Sequence, residues 1–493
     1  MLLSGLAVGL ALGAVMQRGR FCVTGMLRDI FMSRSWRGFT ALMILISVHA
    51  FGLTLLTQLG VISPSTSNFA PVAIIGGAFI FGLGIILSGG CASGTWYRSA
   101  EGLVGSWLAL IFFALSAAAM KAGPLAAAND WLKQWETPLT TIHAALGVSP
   151  WLLVAAVWIV TFLLWRHYRA KDAARKRFDL GQPWYAKPLT LNTAAIAVGL
   201  IGTLAFPLSA ATGRNAGLGI TTPSSDLLRY AVTGDSARIN WGTLLVIGLF
   251  VGAFLAAELA GEFRVRVPDA RTASRAIIGG IMMGVGASLA NGCTVGNGMV
   301  ETSLFSFQGW IALLFMAIGV GVGAKLWLAP AAIQQPGTGT AYTTADSLDQ
   351  DANSESSLSA EDRVLSRENG LSESVEVSHS QVRTATRPQS FGVSLGAVSL
   401  ATKPKALNKA RPLGEGRYAL DTLGSVCPFP LIEAKDVMEE LDAGEALVID
   451  FDCTQATDTI PAWAADAGHE IIDFRRSGNA GWQVTVVKEG QRG

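Results

Sequence analysis

Residues 82–94 read GLGIILSGGCASG, and 202 positions later residues 284–296 read GVGASLANGCTVG. Gly82, Gly84, Gly90, Cys91 and Gly94 return as Gly284, Gly286, Gly292, Cys293 and Gly296. Just upstream, Ile74-Ile75-Gly76-Gly77 returns as Ile277-Ile278-Gly279-Gly280, one residue out of that register. A shorter frame (Gly, eight residues, Cys, two residues, Gly) has a further copy at Gly13, Cys22 and Gly25. A fourth copy is expected within residues 199–222, where glycines and Arg214 occur without a cysteine.

The copies at Cys91 and Cys293 each close a hydrophobic run. Such runs lie at 2–17, 38–58, 71–89, 103–120, 150–165, 190–207, 241–260, 276–290 and 307–328. Most approach the roughly 20 residues that cross a bilayer. No basic residue precedes the first run, so it reads as a span rather than a signal peptide. Residues 125–143 are mixed and read as interfacial. Composition agrees: of 493 residues 51% are hydrophobic, 15% are charged and 55 are glycine, with a mean hydropathy of +0.42. Soluble domains carry nearer a quarter charged residues. Taken whole, the chain is therefore no soluble enzyme, collagen, coiled coil or nucleic-acid binder.

Charge divides the chain in two. The first 330 residues hold 23 Lys/Arg against 12 Asp/Glu, and the remainder holds 14 against 24. Cations gather in Arg18–Arg37 (five), Arg166–Arg177 (six) and Arg264–Arg275 (four), while 58–71 has none. Nine spans with the N-terminus outside put all three basic segments, and the C-terminal half, in the cytoplasm. The third span then runs inward and the eighth outward, so the two long copies have opposite topology. Four spans, a connecting span and four inverted spans make a transporter-like plan. Residues 92–102 and 294–305 read as broken or re-entrant helices lining a cavity.

A helix N-terminus at mid-depth offers free N–H groups and partial positive charge to an anion. Glycine lets the backbone approach, and a thiol adds a weak donor and a soft, polarizable surface. One cysteine in a membrane helix is ordinarily a small buried hydrophobe. Three in one frame suit an anion with a soft sulfur end better than sulfate or phosphate. Nearby cations are Arg18, Arg20, Arg98 and Arg214, of which Arg18, Arg20 and Arg98 read first as interfacial anchors. His49 reads as packed against a hydroxyl or a backbone carbonyl, and Glu258 as facing water. The five cysteines are too widely spaced for a disulfide framework. No Cys/His cluster suggests a metal and no GxxxxGK[ST] motif implies ATP, so no cofactor is expected.

The Gly-rich frame with Cys22, Cys91 and Cys293 resembles the YeeE/YedE family of inner-membrane sulfur-compound transporters over about residues 1–330. The resemblance implies a pore shaped by inverted repeats and uptake of thiosulfate through a waist lined by those three cysteines. Family members also handle other sulfur or selenium species.

Residues 331–415 show no periodic element. Residues 344–380 are Ser-rich and acidic, and 383–411 basic and polar, which is the composition of a disordered linker. Residues 416–493 recover a globular pattern. Strands are predicted at 417–423, 446–452, 470–475 and 482–487, and helices at 428–441 and 457–467. The order βαβαββ makes a small two-layer α/β sandwich. Its chemical feature is Leu420-Asp421-Thr422-Leu423-Gly424-Ser425-Val426-Cys427-Pro428-Phe429-Pro430. Pro428 suits a first helical turn, which puts Cys427 at a helix N-terminus with a lowered pKa. LDxxGxxCPxP, with Asp458-Thr459-Ile460-Pro461-Ala462-Trp463, resembles the TusA-like sulfur carriers, and this implies that Cys427 carries sulfur as a persulfide. Cys453 reads as a packing residue, with a resolving-thiol role as the alternative.

The expectation is a polytopic α-helical membrane protein with inverted repeats, of about nine transmembrane helices plus short re-entrant ones (1–330). A linker (331–415) and a sulfur-carrier domain (416–493) follow. Its partners would be the thiosulfate ion, the lipid bilayer and a cytoplasmic sulfur acceptor protein or thiol, with no nucleic acid. It would sit in a bacterial inner membrane with the C-terminal domain in the cytoplasm. Cys427 would be the catalytic residue of a sulfurtransferase step. The alternatives are a membrane-tethered sulfur-relay enzyme and an importer of another sulfur or selenium species.

Overall fold

The computed structural model describes residues 1–32, 34–173, 186–328, 409–425, 429–478 and 481–489. Most of the expected linker, the end of the Arg166–Arg177 segment and Cys427 itself lie outside these residues.

The first 328 residues are helical. In chain order the helices are α1 (Leu3–Arg18), α2 (Val23–Met32), α3 (Arg37–Gln58), α4 (Pro71–Leu87), α5 (Ala92–Ala100), α6 (Val104–Ala122), α7 (Ala126–Lys133), α8 (Ile142–Leu146), α9 (Pro150–Ala173), α10 (Leu191–Ala210), α11 (Thr221–Thr233), α12 (Trp241–Leu259), α13 (Ala270–Leu289) and α14 (Phe307–Trp327). A π-helical segment, Gly296–Glu301, sits between the last two. Among the described residues nine stretches are long and apolar enough to cross a membrane, as expected. The mixed stretch 125–143 holds the short α7 and the start of α8.

The order repeats one unit four times: a long helix, a break, a short half-helix, then a long helix. The units are α1-α2-α3, α4-α5-α6, α10-α11-α12 and α13-π-α14, with α9 as the connector and the least buried of the nine. Helix starts follow ordinary capping chemistry. Pro71 opens α4, Thr190 caps α10, Asn240 forms a capping box at α12, Asp269 caps α13 and Ser306 caps α14. Each side-chain oxygen satisfies N–H groups the helix leaves open.

Glycine fixes how the units meet. A methyl group on Gly84 would strike the Gly279 carbonyl, and one on Gly279 the Gly84 carbonyl; Gly77 and Gly286 stand in the same reciprocal relation. At the offset of 202, Gly77 corresponds to Gly279 and Gly84 to Gly286. Exchanging the copies turns the Gly84–Gly279 contact into the Gly286–Gly77 contact, and two contacts that interconvert in this way are the mark of a two-fold relation. The contact is antiparallel, which is what inverted copies require. Further close pairs also cross between halves. Gly5, Gly9 and Gly13 of α1 abut the backbone of α12 at Trp241, Leu245 and Leu249, and Gly82 of α4 abuts α14 at Met316. Without a hydrophobic drive between helices in lipid, such small-residue seams supply the packing.

The small domain is a five-stranded sheet with two helices: β1 (Arg411–Gly414), β2 (Arg417–Asp421), α15 (Phe429–Glu440), β3 (Ala446–Phe451), α16 (Ala456–Asp466), β4 (Glu470–Ser477) and β5 (Gly481–Val487). The sheet order is β1-β2-β3-β5-β4. β2 and β3 are parallel across the α15 crossover, and the other pairs are antiparallel. Alternate residues Leu420, Leu447, Ile449, Phe451, Trp482 and Val484 share one core with Ala434, Val437, Ile460 and Ala464 of the helices. The βαβαββ order is thus present. An edge strand, β1, precedes it inside the stretch read as linker. It is joined to β2 by Glu415-Gly416, both at positive φ (52° and 69°), the geometry of a tight hairpin turn.

Candidate functional site

The half-helices begin at the cysteines. The carbonyl of Cys22 accepts the Met26 N–H, that of Cys91 the Thr95 N–H and that of Cys293 the Asn297 N–H. Ile220 accepts the Ser224 N–H in the same way. Ile220 is therefore the counterpart of the three cysteines and marks the fourth copy, with α11 as its half-helix. Two residues before each cysteine the backbone is left-handed: Arg20 (φ 48°), Gly89 (φ 71°) and Asn291 (φ 57°). Two of these are not glycine, a conformation held only when its surroundings insist on it. That kink turns each long helix into its half-helix.

Two of the three thiols meet. Cys22, Cys91 and Cys293 are buried and free. A methyl group at Gly94 would stand 3.4 Å from Cys91 Sγ and 3.6 Å from Cys22 Sγ, so a bare glycine lies against both sulfurs. Cys91 is within hydrogen-bonding reach of Cys22, and Thr294, next to Cys293, lies beside Cys91. Neither Cys91 nor Ile220 caps its half-helix with a side-chain hydrogen bond. First-turn N–H groups are thus left for an anion. Trp96 Nε1 donates to Ser224 Oγ at 2.9 Å, tying α5 to α11. Asn297 donates to the Ala290 and Gly292 carbonyls and accepts from Gln308, which locks the third break.

Beyond Cys22 the site is charged. Arg98 Nη2 lies 3.8 Å from Cys22 Sγ. Gln17 donates to Glu101 at 3.2 Å and to Glu262 at 2.8 Å. Arg18 pairs with Glu262 at 3.1 Å and Arg20 at 3.5 Å. Arg18, Arg20 and Arg98 are 9%, 8% and 5% exposed, so the interfacial-anchor reading fails. Arg18 lies 244 residues from Glu262 and Arg98 lies 76 from Cys22, beyond the reach of local pattern. Burial, helped by the Glu262 charge, pushes the Glu101 carboxyl up to about 7, with Arg266 and Arg98 opposing. His49 is buried against the backbone of Gly202 and Met299.

The small domain meets this charged end. Asp458 pairs with Arg20 at 3.2 Å, and Thr457 accepts from Arg20 as well. Gln455 accepts from Arg98 at 2.8 Å. Asp452 pairs with Arg266 at 3.2 Å, and Arg476 donates to the Ala260 carbonyl. A cavity there is lined by Ser88, Arg98 and Arg266 on one side and Ser425, Cys453 and Gln455 on the other. Asp452 also accepts the Gly424 N–H, and Gly424 has φ 78°. Helix α15 begins at Phe429, two residues after Cys427. Cys453 packs against the core of the small domain, as expected, and is disulfide-bonded.

The sequence signature of the Sulphur transport family matches residues 18–322, and that of Sulfurtransferase TusA matches residues 418–488. The chain is 43% identical to the Thiosulfate transporter TsuA of Escherichia coli (strain K12), an alignment covering 66% of this chain and 94% of the relative. It is 32% identical to the Thiosulfate transporter TsuA of Spirochaeta thermophila, covering 65% and 97%. Its last segment is 56% identical over 69 residues to the small protein TsuB of Escherichia coli (strain K12), covering 14% of this chain and 92% of that one.

Proposed function

From the premise that this chain belongs to the Sulphur transport family and carries a TusA domain, we propose that it imports thiosulfate across a bacterial inner membrane and takes the sulfane sulfur on the cytoplasmic side. The family resemblance and the TsuA relatives support the substrate. The observation that carries the reading is that three free, buried thiols each stand at a break between a long helix and a half-helix, with Cys22 and Cys91 side by side. A desolvated dianion at such a break loses water and gains helix N-termini and S–H donors. Several weak contacts suit passage better than one strong one, because the ion must also leave.

Arg98 stands next along the path, between Cys22 and Gln455 of the small domain. The Cys427 thiolate then attacks the outer sulfur of thiosulfate. A new S–S bond forms on Cys427, the S–SO₃ bond breaks, and sulfite leaves with the electron pair. The step starts from reduced Cys427, so any disulfide it has formed must first be opened by a thiol reductant; the transfer itself needs neither oxidant nor cofactor. Consumption of thiosulfate inside favours net uptake.

The test is uptake of ³⁵S-thiosulfate by proteoliposomes containing the full chain. Single cysteines at the exposed Ser65 and Ser274 report the two faces by impermeant labelling. Saturable uptake, with Ser65 and Ser274 labelled from opposite sides, is expected. Vesicles that admit no thiosulfate, while the chain still forms a Cys427 persulfide, would leave a membrane-tethered relay enzyme instead.

A further inference from the structure

Four buried side-chain hydroxyls among the described residues have no hydrogen-bond partner: Thr24, Thr221, Ser288 and Thr294. Buried hydroxyls in native proteins are almost always paired, and each exception asks for a cause. These four are not scattered. Thr24 lies two residues after Cys22, Thr221 directly after Ile220 and Thr294 directly after Cys293; Ser288 lies at the end of α13, just before that break. The three threonines stand in the first turn of three of the four half-helix segments and are 3%, 5% and 0% exposed. Ser93, two residues after Cys91 as Thr24 is after Cys22, is already engaged with Cys91 at 3.5 Å. Threonines outside the breaks behave otherwise: Thr40 donates to the Trp36 carbonyl and Thr203 to the Gly199 carbonyl.

We propose that Thr24, Thr221 and Thr294 form a hydroxyl subsite that donates to the sulfonate oxygens of thiosulfate while the thiols hold its sulfane end. The inference rests on the transport reading above and adds the other half of the substrate to it. Thiosulfate has two chemically different ends, one soft sulfur and three hard oxygens. Thiols serve the first and hydroxyl donors the second. Thr294 lies beside Cys91 yet makes no hydrogen bond of ordinary geometry, so a donor and a thiol face one point. The fourth unit has Ile220 where the others have cysteine, and it keeps Thr221. It can serve the oxygens and not the sulfur, which gives the waist a direction.

The experiment is thiosulfate uptake by proteoliposomes of the full chain carrying Thr24→Val, Thr221→Val or Thr294→Val. The matching Thr→Ser and Thr→Ala variants and a Thr40→Val control accompany them. A hydrogen bond to a charged ligand should show as a KM raised roughly tenfold or more in Val and Ala, restored by Ser and unmoved by Thr40→Val. The melting temperature without thiosulfate should not fall in the Val variants, because an unpaired hydroxyl is being replaced by its apolar isostere. A purely structural hydroxyl would lower it. KM within twofold of the parent at two or more of the three positions overturns the subsite while leaving transport intact. An unsubstituted chain that admits no thiosulfate overturns the transport reading, and the subsite with it.

Discussion

The unit ending at Cys91 and the unit ending at Ile220 are built alike. Each is a long helix, a break, a half-helix whose first carbonyl accepts from four residues on, and another long helix. Neither half-helix has a side-chain cap. Yet Cys91 has Gly82 nine residues before it and Gly94 three after, whereas Ile220 has Ala211 and Pro223 there. The left-handed residue two before Cys91 has no equivalent before Ile220. Backbone architecture therefore survives the loss of every residue in the frame. What the frame residues add is chemistry at one point and close approach around it.

The largest way to break that comparison is to make the two units chemically equal. Cys91→Ala should cut thiosulfate uptake by more than tenfold, and Cys293→Ala likewise, with folded protein recovered at normal yield. Thiol to methyl removes little volume, so packing alone should cost about 1 kcal/mol or less. Uptake unchanged in both variants, measured in vesicles at matched protein density, would remove the thiols from the mechanism.

A second comparison lies within one helix, between adjacent glycines. A methyl group on Gly77 would meet backbone and side-chain atoms of α13, and one on Gly84 would stand 2.8 Å from the Met283 nitrogen. At Gly76 nothing lies within 4 Å. Gly84→Ala and Gly77→Ala should each destabilise the bundle by about 3 kcal/mol, since the obstacle is backbone. Gly76→Ala should be neutral or slightly stabilising, by at most about 1 kcal/mol. Thermal melting in detergent separates them; equal shifts at Gly76 and Gly77 would contradict the two-fold seam.

These glycines explain why so much of the fold was legible in sequence. Close backbone approach admits almost one residue type, so the constraint repeats wherever the geometry does, and the offset of 202 is its trace. The position of the three cysteines at the helix breaks was legible for the same reason. The fourth unit was not, because Ala211, Ile220 and Pro223 meet its looser requirements without a distinctive residue. Arg18 and Arg20 were misread because Glu262 completes their site from another half of the chain. Strand β1 escaped because all four of its residues are exposed, so no alternation of burial marks it. The unpaired threonines could have been noticed as hydroxyls trailing Cys22 and Cys293, but only the structure shows that they lack partners.

The charged end offers a third test, through pH. The Glu101 carboxyl is raised from 4.5 to about 7, first by burial and then by Glu262. A raised carboxyl means that the folded state holds its proton more tightly than the unfolded chain. Stability is then fully present below about 4.5 and falls as pH rises toward 7, with no further change above it. The shift corresponds to about 3 to 4 kcal/mol. Glu101→Gln keeps an acceptor for Gln17 and removes the titration. Its melting temperature should change less than the parent's between pH 5 and pH 8. Parallel curves for the two proteins would show that Glu101 is not the titrating group.

The smallest effect returns to Ile220. Ile220→Cys would give the fourth unit the thiol it lacks. The side chain is fully buried, and the change removes roughly two carbon atoms' worth of packing, so about 1 kcal/mol of stability should be lost. If thiols act only where the soft end of the substrate passes, a fourth one on the oxygen-facing side has nothing to hold. Uptake in Ile220→Cys should therefore stay within about threefold of the parent, and in the double variant with Cys91→Ala it should not recover. A thiol at 220 that restores transport to Cys91→Ala would mean that the four caps are interchangeable. The waist would then count thiols without reading direction, and the contrast between Cys91 and Ile220 would be one of history rather than mechanism.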